Sequence, residues 1–235
     1  MVTALVPAAG TGTRMGGGVH KQWLQLDGKP MLSHALTALC QCSQIDEIIV
    51  IAHGDDLDLC RETYIGQDGF AKVTDVIPGG ENRQMSVFNG LRYLSWRDEP
   101  PQWVLIHDGV RPLVTVSLIE QVIRAGMKYG AALSAIPAVD TLKRVDPLSL
   151  KVIETVDRST MWQAQTPQMF RFAALWAVHQ RAFSDGWNAT DDAALLEMAG
   201  EPVTVIRGDP GNLKVTHPQD LVMAEIWTRI RKEPT

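Results

Sequence analysis

Short runs rich in valine, isoleucine and leucine alternate along the chain with longer stretches whose apolar positions recur every three or four residues. The runs at 3–6 (TALV), 47–52 (EIIVIA), 73–77 (VTDVI), 103–108 (WVLIHD) and 132–138 (ALSAIPA) have the composition of strands. Between them, 30–39, 82–94 and 116–128 carry the spacing of amphipathic helices. Strands with little polar alternation are buried on both faces, which points to a mostly parallel sheet covered by helices on each side. In such sheets ligands lie beyond the carboxyl ends of the strands. Pro7, Gly79 and the pair His107-Asp108 all sit at those ends.

The pattern breaks at Asp140. Residues 140–146 and 150–158 read as two extended segments joined by a turn around Pro147-Leu148-Ser149. They form either a surface hairpin at a sheet edge or a protruding arm that exchanges between subunits, since an exposed edge invites pairing. Residues 162–168 (WQAQTPQ) read as a polar turn, followed by helices at 172–183 and 191–198, a strand at 203–206 and a closing helix at 220–230. The expectation is an α/β protein, a Rossmann-like three-layer sandwich with a mostly parallel twisted sheet and a protruding β-arm at about 140–158. With no repeat, low-complexity segment or linker, residues 1–235 are expected to form one domain.

Composition narrows the function classes. A hydrophobic share of 45% and a charged share of 21% are those of a soluble globular protein. The formal charge of -5 argues against general binding to nucleic acid or to an anionic membrane, while leaving room for an anionic ligand held by local cations. No basic leader with an apolar core opens the chain, and no apolar run approaches the length of a membrane span. Cys40, Cys42 and Cys60 make neither a disulfide framework nor a zinc site, so reduced thiols and a cytoplasmic location are expected.

The densest candidate chemistry lies at 5–22, LVPAAGTGTRMGGGVHKQ. A small-residue loop after a buried strand lets backbone N–H groups approach an anion closely. Arg14 and Lys21, the only fixed charges in it, suit a polyphosphate as fork and point charge. A Walker A loop is excluded, because Lys21 lies between His20 and Gln22. A dinucleotide fingerprint fails at Met15, although Asp55 and Asp56 after the second strand keep a nicotinamide-dependent reductase as an alternative. Other polar segments stand out as well. A double glycine precedes a helix start at 79–86; an acid and an arginine, Asp108 and Arg111, end a strand; and Lys214 stands alone between strand and final helix. A carboxylate at Asp108 is a candidate ligand for Mg²⁺ on a nucleotide.

Taken in order, VPAAGTGTRM…KQ, PGGENRQMSV, VLIHDGVRP, VDTLKR, TVDRSTMWQAQTPQMF, TDDAALLE and GNLKVTHPQDL resemble the 2-C-methyl-D-erythritol 4-phosphate cytidylyltransferases across almost the whole chain. The resemblance implies transfer of a cytidylyl group from CTP to methylerythritol phosphate, with Mg²⁺, in a homodimer whose β-arm completes the partner's site. It implies that Arg14 and Lys21 hold the triphosphate, that Ala8, Ala9, Gly10, Gly80, Glu81, Ser86 and Gly109 surround base and ribose, and that Asp108 lies nearby. Thr141, Arg158, Thr166, Lys214 and Arg111 are implied to hold and aim the methylerythritol phosphate, with Arg111, Thr141 and Arg158 supplied by the partner. The chain departs from the family's usual residues at His20 (often proline), Glu81 (often aspartate), Gly109-Val110 (often Ala-Ala) and Asp192 (often glutamate). Ribitol-5-phosphate cytidylyltransferases are similar in sequence; Lys143, Ser86-Val87 and Trp162 favour the methylerythritol enzymes. The implied chemistry suits the residues: an attacking phosphate is already an anion and needs no general base, only neutralised charge and alignment.

Overall fold

The computed structural model describes residues 1–10 and 20–232. In chain order the elements are β1 (Val2–Ala8), a 3₁₀ turn (Lys21–Trp23), β2 (Gln25–Leu26), β3 (Lys29–Pro30), α1 (Met31–Gln41), β4 (Glu47–Ala52), a 3₁₀ turn (Gly54–Asp56), α2 (Leu57–Tyr64), β5 (Val73–Pro78), α3 (Arg83–Ser95), β6 (Trp103–Ile106), α4 (Val116–Tyr129) and β7 (Ala131–Pro137). There follow β8 (Leu142–Val145), β9 (Val152–Val156), a 3₁₀ turn (Arg158–Thr160), β10 (Trp162–Arg171), α5 (Phe172–Asp185), α6 (Asp192–Met198), β11 (Thr204–Arg207) and α7 (Pro218–Lys232).

Seven strands make one sheet in the order β11-β7-β10-β6-β1-β4-β5. All neighbours run parallel except β10, which is antiparallel to both β6 and β7. The two-residue period of the strands divides the core. Ala4, Val6 and Ala8 of β1 face α1 and α4, packing with Leu36, Leu39, Ile119 and Val122. Leu5 joins Ile49 and Ile51 on the other face, under α3 and α5, with Leu91, Leu94, Leu175 and Val178. Helices on both faces give the expected three layers. Close approach is set by small residues: a Cβ on Gly90 of α3 would lie 2.8 Å from Ile51 Cδ1 and 2.9 Å from Leu5 Cδ1.

The principal difference from expectation is at 162–168. These residues are the start of a ten-residue interior strand, not a polar turn. Proline and three glutamines disguise it, since such residues are uncommon inside a sheet. The buried ones are accommodated, while Gln163 is exposed: the register with β7 shifts between Ala164 and Gln168, around Pro167. Gln165 Nε2 donates to the Asp209 carbonyl at 2.9 Å, and Gln168 Nε2 to Asp191 Oδ2 at 2.8 Å. The short helix α2 lies where the sequence pattern predicts no element. Strands β8 and β9 form a separate two-stranded antiparallel sheet, Leu142 opposite Val156, exposed along nearly its whole length.

Candidate active site

A cavity of about 320 Å³ opens at the carboxyl ends of β1, β5 and β6. Its wall includes Pro7, Ala8, Ala9 and Gly10 from the end of β1, Gly80, Glu81, Asn82, Arg83 and Ser86 from the β5–α3 corner, and Lys21, Gln22, His53, Asp108, Val110 and Lys214. The backbone geometry there depends on glycine. A Cβ on Gly79 would stand 2.3 Å from Ala9 Cβ, and one on Gly80 2.5 Å from Met85 Cβ. Ser86 stitches this corner together: its hydroxyl accepts from Gly80 N–H at 3.0 Å and donates to the Asn82 carbonyl at 2.8 Å. Asn82 in turn caps α3 by accepting from Met85 N–H at 2.9 Å.

Asp108 is the electrostatic centre. Arg83 Nε donates to its Oδ1 at 2.8 Å, Lys214 Nζ lies 2.8 Å from Oδ2, and Arg111 Nε lies 3.8 Å from the same oxygen. Burial alone would raise this carboxyl; the charges of Arg83, Lys214 and Arg111 outweigh burial and hold it well below the usual carboxylate range. Arg83 also pairs with the buried Asp192, Nη1 to Oδ2 at 2.9 Å, and His179 backs that carboxylate at 3.1 Å. Three cations around Asp108 leave this side of the cavity positive, suited to a polyanion. The Asp108 amide donates to Thr166 Oγ1 at 3.0 Å, so β10 braces the acid from beneath. Beside it, burial drives the His107 imidazole down to about 4.

The structure therefore gathers Ala8, Ala9, Gly10, Lys21, Gly80, Glu81, Ser86, Asp108 and Lys214 on one wall, with Gly109 packed tightly behind it against Ala8 and Leu32. Thr166 and Arg111 lie just underneath, both buried. Arg111, which the resemblance assigned to a partner's site, is committed to its own chain through Asp108 and through Nη1 to the Asn212 carbonyl at 2.8 Å. Thr141 and Arg158 are not part of this wall: both are exposed on or beside the β8–β9 arm, where Arg158 donates to the Val139 carbonyl. Arg14 lies outside the described residues. Arg83 has no role in the sequence pattern above; its place directly after the helix-capping Asn82, three residues beyond a double glycine, is the available signal. His53 and Asn212 carried none.

Among the described residues no three His, Cys, Asp or Glu side chains cluster as a metal site. Asp108, the acid of the cavity wall, holds a cation at each oxygen, Arg83 at Oδ1 and Lys214 at Oδ2. Among the described residues no helix is long and apolar enough to cross a membrane.

The family model for 2-C-methyl-D-erythritol 4-phosphate cytidylyltransferase matches residues 2–229. The chain is 43% identical over 228 residues to the protein of that name from Geotalea uraniireducens, covering 97% of each chain. It is 40% identical over 230 residues to its counterpart from Desulforamulus reducens, covering 98% of this chain and 97% of that one. The crystal structure of 4-diphosphocytidyl-2C-methyl-D-erythritol synthase from Anaerococcus prevotii superposes with a TM-score of 0.85 at 29% identity, covering 97% of this chain and 96% of that one. For the Thermus thermophilus cytidylyltransferase the values are 0.76 and 32%, over 97% and 98%. This chain belongs to the 2-C-methyl-D-erythritol 4-phosphate cytidylyltransferase family.

Proposed function

We propose that the protein joins CTP to 2-C-methyl-D-erythritol 4-phosphate, releasing pyrophosphate and forming CDP-methylerythritol for non-mevalonate isoprenoid synthesis. The observation that carries this reading is the cavity at the strand ends, whose wall brings the close backbone of 7–10 and Gly80 together with the cationic side chains of Lys21, Arg83 and Lys214. The close backbone suits a flat pyrimidine, and the cations suit phosphates.

A phosphate oxygen of methylerythritol phosphate attacks the α-phosphorus of CTP, and the bond to the β-phosphate oxygen breaks in line. Lys21, with Arg14 on the same loop, neutralises the leaving pyrophosphate. Lys214 aligns the attacking phosphate, held by its ion pair with Asp108. Mg²⁺ supplies further charge neutralisation when bound with the nucleotide. Arg158 and Thr141 serve the attacking substrate from the arm of a second subunit, in a cytoplasmic homodimer built of one nucleotidyltransferase domain per chain. The exposed Leu148, Leu150, Val152 and Ile153 on that arm favour such a partner. The reductase alternative rested on Asp55 and Asp56: Asp56 is engaged by His20 and Gln22, and Asp55, exposed beside His53, does not line the cavity.

Pyrophosphate release with CTP and a panel of polyol phosphates tests the proposal. Turnover with methylerythritol phosphate at least on the order of 10²-fold above ribitol 5-phosphate is expected, since an unmatched substrate forfeits alignment. Equal rates, or stabilisation against heat by NADPH but not CTP, would overturn it.

A further inference from the structure

Lys21 is flanked by two side chains that converge on one atom. His20 Nδ1 lies 2.6 Å from Asp56 Oδ2, and Gln22 Nε2 donates to the same oxygen at 2.7 Å. A carboxylate only accepts, so His20 carries its proton on Nδ1. Asp56 closes the 3₁₀ turn Gly54–Asp56 that follows β4, and it is buried with only 8% of its surface exposed. The contact thus ties the loop after β1 to the loop after β4, the adjacent strand. Gln22 is itself buried. The His20 ring also meets His53 edge-on, with ring centroids 4.7 Å apart, and His53 lines the cavity. Lys21 lines the cavity as well, its Cε 3.7 Å from where a Cβ on Gly10 would stand. Lys21 opens the 3₁₀ turn Lys21–Trp23 between these two anchored neighbours, so holding both fixes the backbone from which its side chain reaches the cavity.

We propose that Asp56 is a positioning residue, which fixes Lys21 over the nucleotide's phosphates by clamping the residues on either side of it. The inference rests on the assignment of Lys21 to the triphosphate.

A double-mutant cycle separates positioning from mere structure. Pyrophosphate release is measured as kcat and KM for CTP and for methylerythritol phosphate, in Asp56→Ala, Lys21→Ala and the pair. Asp56→Ala is expected to lower kcat/KM for CTP on the order of 10²-fold, as misplacement of a reacting group does, with KM for methylerythritol phosphate unchanged. In the Lys21→Ala background the same substitution is expected to cost almost nothing further. Losses that multiply would show that Asp56 acts on the fold at large and would overturn the inference alone. A Lys21→Ala variant with wild-type kinetics would instead remove the assignment of Lys21, and the inference with it. If Asp56→Ala does not fold, His20→Ala, which unhooks one half of the clamp at a partly exposed ring, runs through the same cycle. Multiplying losses there overturn the inference equally.

Discussion

At the scale of single residues, charges under the cavity are balanced by burial in opposite senses. His107 is fully buried, with Nε2 3.2 Å from the Arg111 carbonyl and Nδ1 3.2 Å from Thr166 Oγ1. Burial lowers its ionisation from 6.5 to about 4, with the Arg111 and Arg83 charges acting the same way and Asp108 opposing them. Between these values the unfolded chain holds a proton that the folded chain refuses. Stability is therefore complete above pH 6.5 and falls as the pH drops towards 4, by on the order of 3 kcal/mol for this group. Urea unfolding of the wild type and of His107→Asn at pH 7 and at pH 4.5 measures it: the variant is expected to lose less stability over that interval. Equal losses would mean that the imidazole titrates normally in the fold. The composition of HDGVRP announced an acid and an arginine at a strand end, and the structure joins them. What the linear chain hid was distance: Arg83 and Lys214 reach the same carboxylate from opposite directions along the sequence, and nothing local marks such a meeting.

Among the elements, α4 and β10 are set together by an absent side chain. A Cβ on Gly126 would stand 2.3 Å from Met169 Cγ and 2.7 Å from its Cβ. Helix propensity favours Gly126→Ala by about 1 kcal/mol, but overpacking against a fully buried methionine costs about 1–3 kcal/mol. A net loss in denaturant midpoint is expected for Gly126→Ala, and a smaller further loss when the same substitution is made in a Met169→Ala background, itself destabilised by the cavity it opens. A more stable single variant would show that the helix can lift freely. This contact was beyond sequence reading because β10 itself was. Strands β1 and β4 were legible from unbroken apolar runs, as was the amphipathic α4. In β10 the interior positions Gln165 and Gln168 are polar and are satisfied by loops far away in sequence, so its first half imitates a turn. Helix α2 offered only eight residues, two of them buried, too few for a periodicity to show.

For the molecule as a whole, the arm decides whether each site belongs to one chain or two. Arg158 lies apart from the cavity that holds Lys21. If the proposed dimer places it in the neighbour's cavity, Lys21→Ala and Arg158→Ala subunits complement each other. A mixed dimer has one site with both lesions and one with neither. Random re-pairing of equal amounts is then expected to restore roughly a quarter of wild-type activity. No recovery after verified subunit exchange would mean that the arm is an ordinary surface hairpin. The sheet order has a separate consequence, for synthesis. Strand β10 is inserted between β6 and β7, which do not pair with each other. A nascent chain that has completed β6 and β7 therefore carries an open edge at each until Arg171 has emerged. At about 5–20 residues per second, the β6 edge stays bare for several seconds. That edge is Trp-Val-Leu-Ile, apolar and uncharged, the kind of strand that recruits foreign partners. Slower translation between 107 and 171 therefore lengthens the time for which that edge has no partner.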